Sequence, residues 1–136
     1  MNITQSQAQG TVPVTILQTH GDLDGSSFEG LIAAAKQAHE QGARHMLLDL
    51  SDTPYMSSSG LVALQSIVAL LRGEPLPDLE AGWASFRSLD RYREAGFEPC
   101  VKLLNPQPRV THVLEMVGFV RFLEVYTDLE TAVASF

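Results

Sequence analysis

A short apolar run that passes directly into a cluster of serines most constrains what this chain can fold into. Met46 to Leu50 has the length and composition of a buried strand, and a polar turn at residues 52–54 ends it. Three serines and Gly60 come next. The apolar residues that follow them recur at the spacing of one helical face (Leu61, Leu64, Ile67, Val68 and Leu71). The stretch therefore predicts a strand, a turn and then a helix from about Ser58 to Arg72.

The serine cluster lies where this helix begins, so its chemistry is that of a helix N-terminus. A serine here can cap the helix, because its oxygen accepts a hydrogen bond from an unpaired backbone N–H. The same N–H groups and the helix dipole make the position tolerant of a negative charge. From these residues alone, Ser58 is either a helix cap or a site that can carry an anion.

The rest of the chain alternates between strand and helix patterns. Strand patterns occur in five places (residues 1–6, 12–19, 44–50, 101–104 and 123–126). Helical patterns also occur in five (from Ser26 or Ser27 to Gly42, 58–72, 78–94, from Pro108 to Gly118, and from Thr127 or Asp128 to Ala134). Two strands followed by alternating helices and strands are typical of a mixed, mostly parallel sheet packed with helices. We therefore predict an α/β fold in one domain.

Charge and cysteine content exclude several classes of function. The chain has 9 basic and 16 acidic residues and a net charge of −7, which disfavours nucleic acid and anionic membranes as partners. An acidic surface suits a basic protein partner. The single cysteine, Cys100, cannot form an internal disulfide. No apolar run approaches the ~20 residues of a membrane span, and the first residues lack a signal-peptide pattern. We expect a cytoplasmic protein.

Two neighbouring runs carry a resemblance to a known family. Asp49-Leu50-Ser51, followed by Tyr55-Met56-Ser57-Ser58-Ser59-Gly60-Leu61, resembles the signature of the STAS domain, whose best-known members are bacterial anti-sigma factor antagonists. That family usually reads aspartate-serine-serine-glycine-leucine here, and a partner kinase phosphorylates the first serine of the pair. The resemblance implies that Ser58 is the phosphorylation site. Ser57 stands where the family usually has aspartate, and it is the alternative acceptor.

Weaker motifs extend the resemblance over most of the chain. Gly21-Asp22-Leu23-Asp24 is similar to the family's turn after the second strand. The run from Asn105 to Val110 resembles the loop into the third helix, and Met116-Val117-Gly118-Phe119 resembles the turn that ends that helix. The resemblance therefore implies a single STAS-type domain over residues 1–136.

Residues 73–99 depart from the family pattern, since compact members run almost directly into the next strand. We interpret the segment as an insertion. Trp83, Phe86 and Tyr92 within it either pack on the domain or form an aromatic docking face for a partner or a second copy of this chain.

The resemblance implies a regulator that binds an anti-sigma factor with serine kinase activity and is switched off by phosphorylation. A phosphatase would restore the unmodified form. The partner-binding surface is expected to include Asp24, Ser57, Ser58, Ser59 and Gly60. The turn at residues 21–24 and the serine turn both follow strands at one end of the sheet, which brings them together. The alternative is a STAS subunit of a larger assembly, such as a stress-signalling complex or a lipid-transporting ABC system, that phosphorylation does not control.

An enzymatic function is the third hypothesis and the one that the residues support least. A triad of His20, Asp24 and Ser58 is conceivable, but the glycines of a nucleophile elbow are absent. The histidines do not pair at metal-ligand spacing, one cysteine is too few for a metal site, and no glycine-rich phosphate loop occurs. We therefore expect a non-enzymatic protein with no cofactor and no metal.

Overall fold

The structure, a computed structural model, describes residues 2–73 and 98–136. The helix predicted at 78–94, with Trp83, Phe86 and Tyr92, lies outside the described residues, as does most of the predicted insertion. No helix in the described part of the chain is both long and apolar enough to cross a membrane.

Five strands and four α-helices make up the described residues. The strands are β1 (Asn2–Gln9), β2 (Pro13–His20), β3 (Met46–Asp52), β4 (Val101–Leu104) and β5 (Val125–Tyr126). The helices are α1 (Phe28–Glu40), α2 (Ser58–Arg72), α3 (Pro108–Val117) and α4 (Leu129–Ala134), with a 3-10 turn (Phe119–Arg121) after α3.

The strands form one sheet in the order β1-β2-β3-β4-β5. The first two strands pair antiparallel, and every other neighbouring pair is parallel. This arrangement confirms the predicted α/β fold with a mixed, mostly parallel sheet. Because β2, β3 and β4 run in the same direction, the loops that lead from them into α1, α2 and α3 leave from one edge, which we call the carboxyl edge.

Helices cover both faces of the sheet. Alternate residues of β3 point to opposite faces, so Met46, Leu48 and Leu50 join the larger core whereas Leu47 joins the smaller one. The larger core includes buried residues of α1, α2 and α3, and the smaller one includes Ala132 and Val133 of α4. Helix α2 is buried continuously over Gly60–Ala69, which gives its first turn a rigid support.

The ends of the elements follow local sequence signals. Helices α2 and α3 end at Gly73 and Gly118, whose φ angles of 74° and 80° lie in the left-handed region that glycine adopts without strain. Pro108 is the first residue of α3, where its missing N–H costs no helical hydrogen bond. The predicted bounds of α2 and β4 are confirmed.

The predicted bounds of four strands were wrong because pairing, rather than local pattern, sets them. Strand β2, predicted at 12–19, is Pro13–His20, the residues that pair with β1. Strand β1 reaches Gln9 because it pairs with β2 along its whole length. Strand β3 continues to Asp52, which was expected in the turn, because His20 of β2 pairs with it. Strand β5 is limited to Val125–Tyr126, because these are the two residues of the predicted strand at 123–126 that pair with β4.

Candidate functional site

Two turns meet at the carboxyl edge and are joined by backbone hydrogen bonds. Leu23, after β2, forms an isolated parallel bridge with Met56, after β3. The N–H of Leu23 donates to the carbonyl of Tyr55 at 2.9 Å, and the N–H of Ser57 donates to the carbonyl of Leu23 at 2.9 Å. The turn that contains Asp24 and the turn that contains the serines are therefore held together as one surface.

Gly60 allows the first turn of α2 to approach the other turn closely. A Cβ atom at this position would lie 2.6 Å from Met56 Cγ and 2.9 Å from the carbonyl oxygen of Leu23. Both distances are shorter than van der Waals contact, and one of the atoms is backbone, which cannot rotate away. Gly60 is thus required by packing between the two turns, whatever its role toward a partner.

The three serines occupy different environments. Ser57 is the N-cap of α2, and its hydroxyl oxygen accepts a hydrogen bond from the N–H of Ser59 at 3.2 Å. Ser58 is the first residue of the helix and is exposed, while Ser59 is half-buried and its side chain faces Gly25. The capping role considered for Ser58 therefore belongs to Ser57. Serine here performs the local capping task that an aspartate can also perform.

Asp24 is held in place by the residues that follow it. Its Oδ1 accepts hydrogen bonds from the N–H of Ser26 at 2.9 Å and from the Ser26 hydroxyl at 2.6 Å. The hydroxyl bond and then the N–H bond hold the pKa of Asp24 below its ordinary value of 3.8, so this carboxylate is charged at neutral pH. Asp24 therefore presents a fixed negative charge beside the serine turn.

Ser27 occupies the N-cap position of α1 but does not cap the helix with its side chain. Its hydroxyl donates instead to the carbonyl of Asp22 at 2.8 Å. The expectation that Ser26 or Ser27 caps α1 is therefore right for the position of Ser27 and wrong for the hydrogen bond. The hydroxyls of Ser26 and Ser27 both form hydrogen bonds within the turn that carries Asp22 and Asp24. These two aspartates are the acidic residues expected beside the serines.

His20 forms contacts different from those of the conceivable triad. Its Nδ1 lies 2.6 Å from Oδ2 of Asp52, and its Nε2 lies 2.8 Å from Oγ1 of Thr4. Both ring nitrogens are thus engaged across the sheet, while the Asp24 carboxylate accepts from Ser26. The geometry does not assemble His20, Asp24 and Ser58 into a catalytic unit.

A buried pair of threonines supports the start of the serine turn. Thr53 is fully buried, and its hydroxyl donates to the carbonyl of Thr19 at 3.2 Å. The hydroxyls of Thr19 and Thr53 also bond to each other. This pair fixes the chain as it leaves β3 and turns toward Ser58.

A second side of this surface, which was not predicted from the sequence, comes from the segment that follows β4. The Gln107 side chain donates to the carbonyl of Ser51 at 2.9 Å, which ties this segment to the end of β3. The guanidinium carbon of Arg109 lies 5.8 Å from the centre of the Tyr55 ring, a cation–π contact. The sequence did contain a signal for this second side. Strands β3 and β4 were both expected in a mostly parallel sheet, and the loops that follow parallel strands lie at one edge.

No group of three His, Cys, Asp or Glu side chains is placed to hold a metal ion within residues 2–73 and 98–136. The chemical groups that the surface does offer are hydroxyls, carboxylates, one guanidinium and one aromatic ring. Such a set suits protein recognition and modification of a hydroxyl.

Fold and site together define a class: a small α/β domain that presents serines at a helix N-terminus on the carboxyl edge of a mostly parallel sheet. The family model of the STAS domain matches residues 5–74, slightly more than half of the chain. The chain therefore belongs to the STAS domain family. A search of curated protein sequences finds no match.

Solved structures with the same fold include anti-sigma factor antagonists. One from Thermotoga maritima is 17% identical with a TM-score of 0.69, covering 96% of this chain and 90% of its own. The antagonist SpoIIAA in its unphosphorylated form is 20% identical with a TM-score of 0.55, covering 96% and 93%. Phosphorylated SpoIIAA, a cell fate determinant of Bacillus, is 19% identical with a TM-score of 0.59, covering 96% of both chains. At these identities the likeness establishes the fold.

Proposed function

We propose that this chain is an anti-sigma factor antagonist that a serine kinase switches off. In this proposal it acts in the cytoplasm and binds an anti-sigma factor with kinase activity through the surface around Asp24, Ser57, Ser58, Ser59 and Gly60. Phosphorylation of Ser58 releases the partner, and a phosphatase restores binding. The protein itself performs no catalysis.

The observation that carries the proposal is the exposure of Ser58 at the first position of α2. A kinase must reach the hydroxyl, and Ser58 is the exposed member of the three serines. Ser57 is a less suitable acceptor because its oxygen is already occupied as the helix cap. SpoIIAA, whose fold is similar, has structures in both unphosphorylated and phosphorylated forms, which supports a modification site on this fold.

The proposed switch is electrostatic. A phosphoryl group adds roughly −1.5 to −2 charges at neutral pH. The first turn of α2 contains no acidic residue, so the positive end of the helix can accommodate the added charge without unfolding. A partner that binds the hydroxyl closely would instead meet a bulky, hydrated anion beside Asp24. Repulsion and desolvation then weaken binding, while the fold is retained.

The test is to purify the protein from its native host and map its modifications by mass spectrometry. A phosphoryl group on Ser58, absent in Ser58→Ala, is the expected result. The anti-sigma factor kinases encoded by the host are then purified and tested for binding to the wild type and to Ser58→Asp. We expect one of them to bind the wild type and phosphorylate it, and to bind Ser58→Asp poorly. No modification in any growth phase, together with no kinase that binds, would overturn the proposal.

A second function is favoured by one specific departure. Ser57 stands where the family usually has aspartate, so a kinase that reads that carboxylate would find a neutral hydroxyl instead. In this case the chain is a STAS subunit of a larger assembly and phosphorylation plays no part. Stable co-purification with the assembly from the host, with equal yield for Ser58→Ala and Ser58→Asp, would favour this function over the first.

A further inference from the structure

Tyr55 and Arg109 form an exposed pair beside the serines that the proposed switch does not use. Tyr55 is 40% exposed, although it is one of the largest side chains at this edge of the sheet. The Arg109 guanidinium lies above its ring at 5.8 Å, and Arg109 is itself exposed on the first turn of α3. Tyrosine and arginine are both among the residue types enriched in the energetic centres of protein interfaces.

The order of the strands places this pair on a definite side of Ser58. The loop after β2 carries Asp22 and Asp24, the serines lie at the start of α2 after β3, and Arg109 lies in the first turn of α3 after β4. Neighbouring strands are separated by about 4.8 Å, so the acidic side and Arg109 are on the order of 10 Å apart across the carboxyl edge. Among the charged residues that follow these three strands, the acidic Asp22 and Asp24 therefore lie on one side of Ser58 and the basic Arg109 lies on the other.

The loops that form this surface are connected to each other. The Leu23–Ser57 hydrogen bond joins the loops after β2 and β3, and the Gln107–Ser51 hydrogen bond joins the loop after β4 to the last residues of β3. A partner would meet all three loops as one preformed face. A face with opposite charges at its two ends also fixes the orientation of the partner, because the reversed orientation brings like charges together.

We propose that Tyr55 and Arg109 anchor the anti-sigma factor, and that the partner places a carboxylate against Arg109 and a basic side chain against Asp22 and Asp24. This inference rests on the proposed function and adds to it the chemistry of the partner's surface. Tyr55 provides the apolar contact, and Arg109 provides two-pronged hydrogen bonding that matches a carboxylate.

The experiment measures the Kd of the purified anti-sigma factor kinase for variants of this chain by titration calorimetry. The test variants are Tyr55→Ala, Arg109→Ala and Arg109→Glu. Arg121→Glu is the matched control, because it makes the same change in charge at an exposed site in the 3-10 turn beyond the far end of α3. Thermal unfolding of every variant verifies that the fold is retained.

We expect Tyr55→Ala and Arg109→Ala to weaken binding about tenfold, as truncation of an anchor residue does. Arg109→Glu should weaken it further, because the reversed charge repels the partner's carboxylate. Arg121→Glu should stay within about twofold of the wild type.

Three results would overturn the inference, and they can be distinguished from one another. If Ser58→Asp abolishes binding while Arg109→Glu behaves like Arg121→Glu, the proposed function stands and the anchor does not. If no anti-sigma factor kinase of the host binds the wild type, the proposed function and the anchor both fail. Tighter binding by Arg109→Glu would also refute the inference, since it would show that the partner is basic at this position.

Discussion

Removing the Ser57 hydroxyl tests whether this serine, and not Ser58, caps α2. In Ser57→Ala the N–H of Ser59 loses the oxygen that lies 3.2 Å from it. The backbone hydrogen bonds of residue 57 with Leu23 and Leu61 remain, so the loss is confined to the cap. Loss of such a cap lowers the free energy of unfolding by about 1 kcal/mol. For a domain of this size, that loss lowers Tm by roughly 3–4 °C.

The substitution Ser57→Asp restores the residue that the family usually has and should act in the opposite direction. Aspartate caps a helix as well as serine does. Its charge also meets the positive end of a helix whose first turn holds no acidic residue. We expect the free energy of unfolding to rise by roughly 0.3–1 kcal/mol at low ionic strength. The gain should shrink in high salt, because this exposed charge is then screened.

Urea unfolding followed by far-UV circular dichroism, at low and at high salt, measures these differences. Ser58→Ala is the matched control, since its hydroxyl is exposed at the first helical position and should matter by less than about 0.5 kcal/mol. The m-values of the variants must agree for the comparison to hold. If Ser58→Ala loses more stability than Ser57→Ala, the assignment of the cap is wrong. If the free energy of unfolding of Ser57→Asp does not rise at low salt, the prediction that a negative charge stabilises this end of the helix is wrong.

Three further substitutions test the support of the site. Gly60→Ala should destabilise the protein by roughly 1–3 kcal/mol, because its Cβ meets the Leu23 carbonyl oxygen, and thermal unfolding that matches the wild type would contradict this. Thr53→Val keeps the side-chain shape but removes a buried hydroxyl that donates to Thr19, so chemical denaturation should show a loss of about 1–3 kcal/mol. Asp128→Asn should flatten the acid side of the stability–pH profile. Hydrogen bonds from the Thr131 hydroxyl and N–H lower the pKa of Asp128 from 3.8, so its contribution is present above that pH and is lost as the pH falls through the lower folded value. Asparagine also caps a helix, so stability at pH 7 should change little, and an unchanged acid profile would disprove the role of this carboxylate.

The identity of the elements and the place of the site could be predicted from the sequence because both depend on short-range signals. Helix α2 follows from apolar residues at helical spacing between the serines and Gly73, and its predicted bounds agree with the structure. The polar turns after β2 and β3 were expected at one edge, because parallel strands end on the same side of a sheet. The backbone hydrogen bonds of Leu23 with Tyr55 and with Ser57 show that the two turns do meet there.

Only the tertiary structure decided how individual side chains share this edge. Sequence pattern could not distinguish Ser57 from Ser58 as the cap, because the choice depends on the backbone angles at one residue. It also could not pair His20 with Asp52, which is 32 residues away.

The contact of Arg109 with Tyr55 has the same origin, since it requires β4 to lie beside β3 with a particular register. Periodicity along the chain records which face of a strand or helix is buried, and it therefore determines the elements. Contacts between distant residues depend on strand order, register and the geometry of each loop. These are properties of the assembled sheet and are not contained in any one segment.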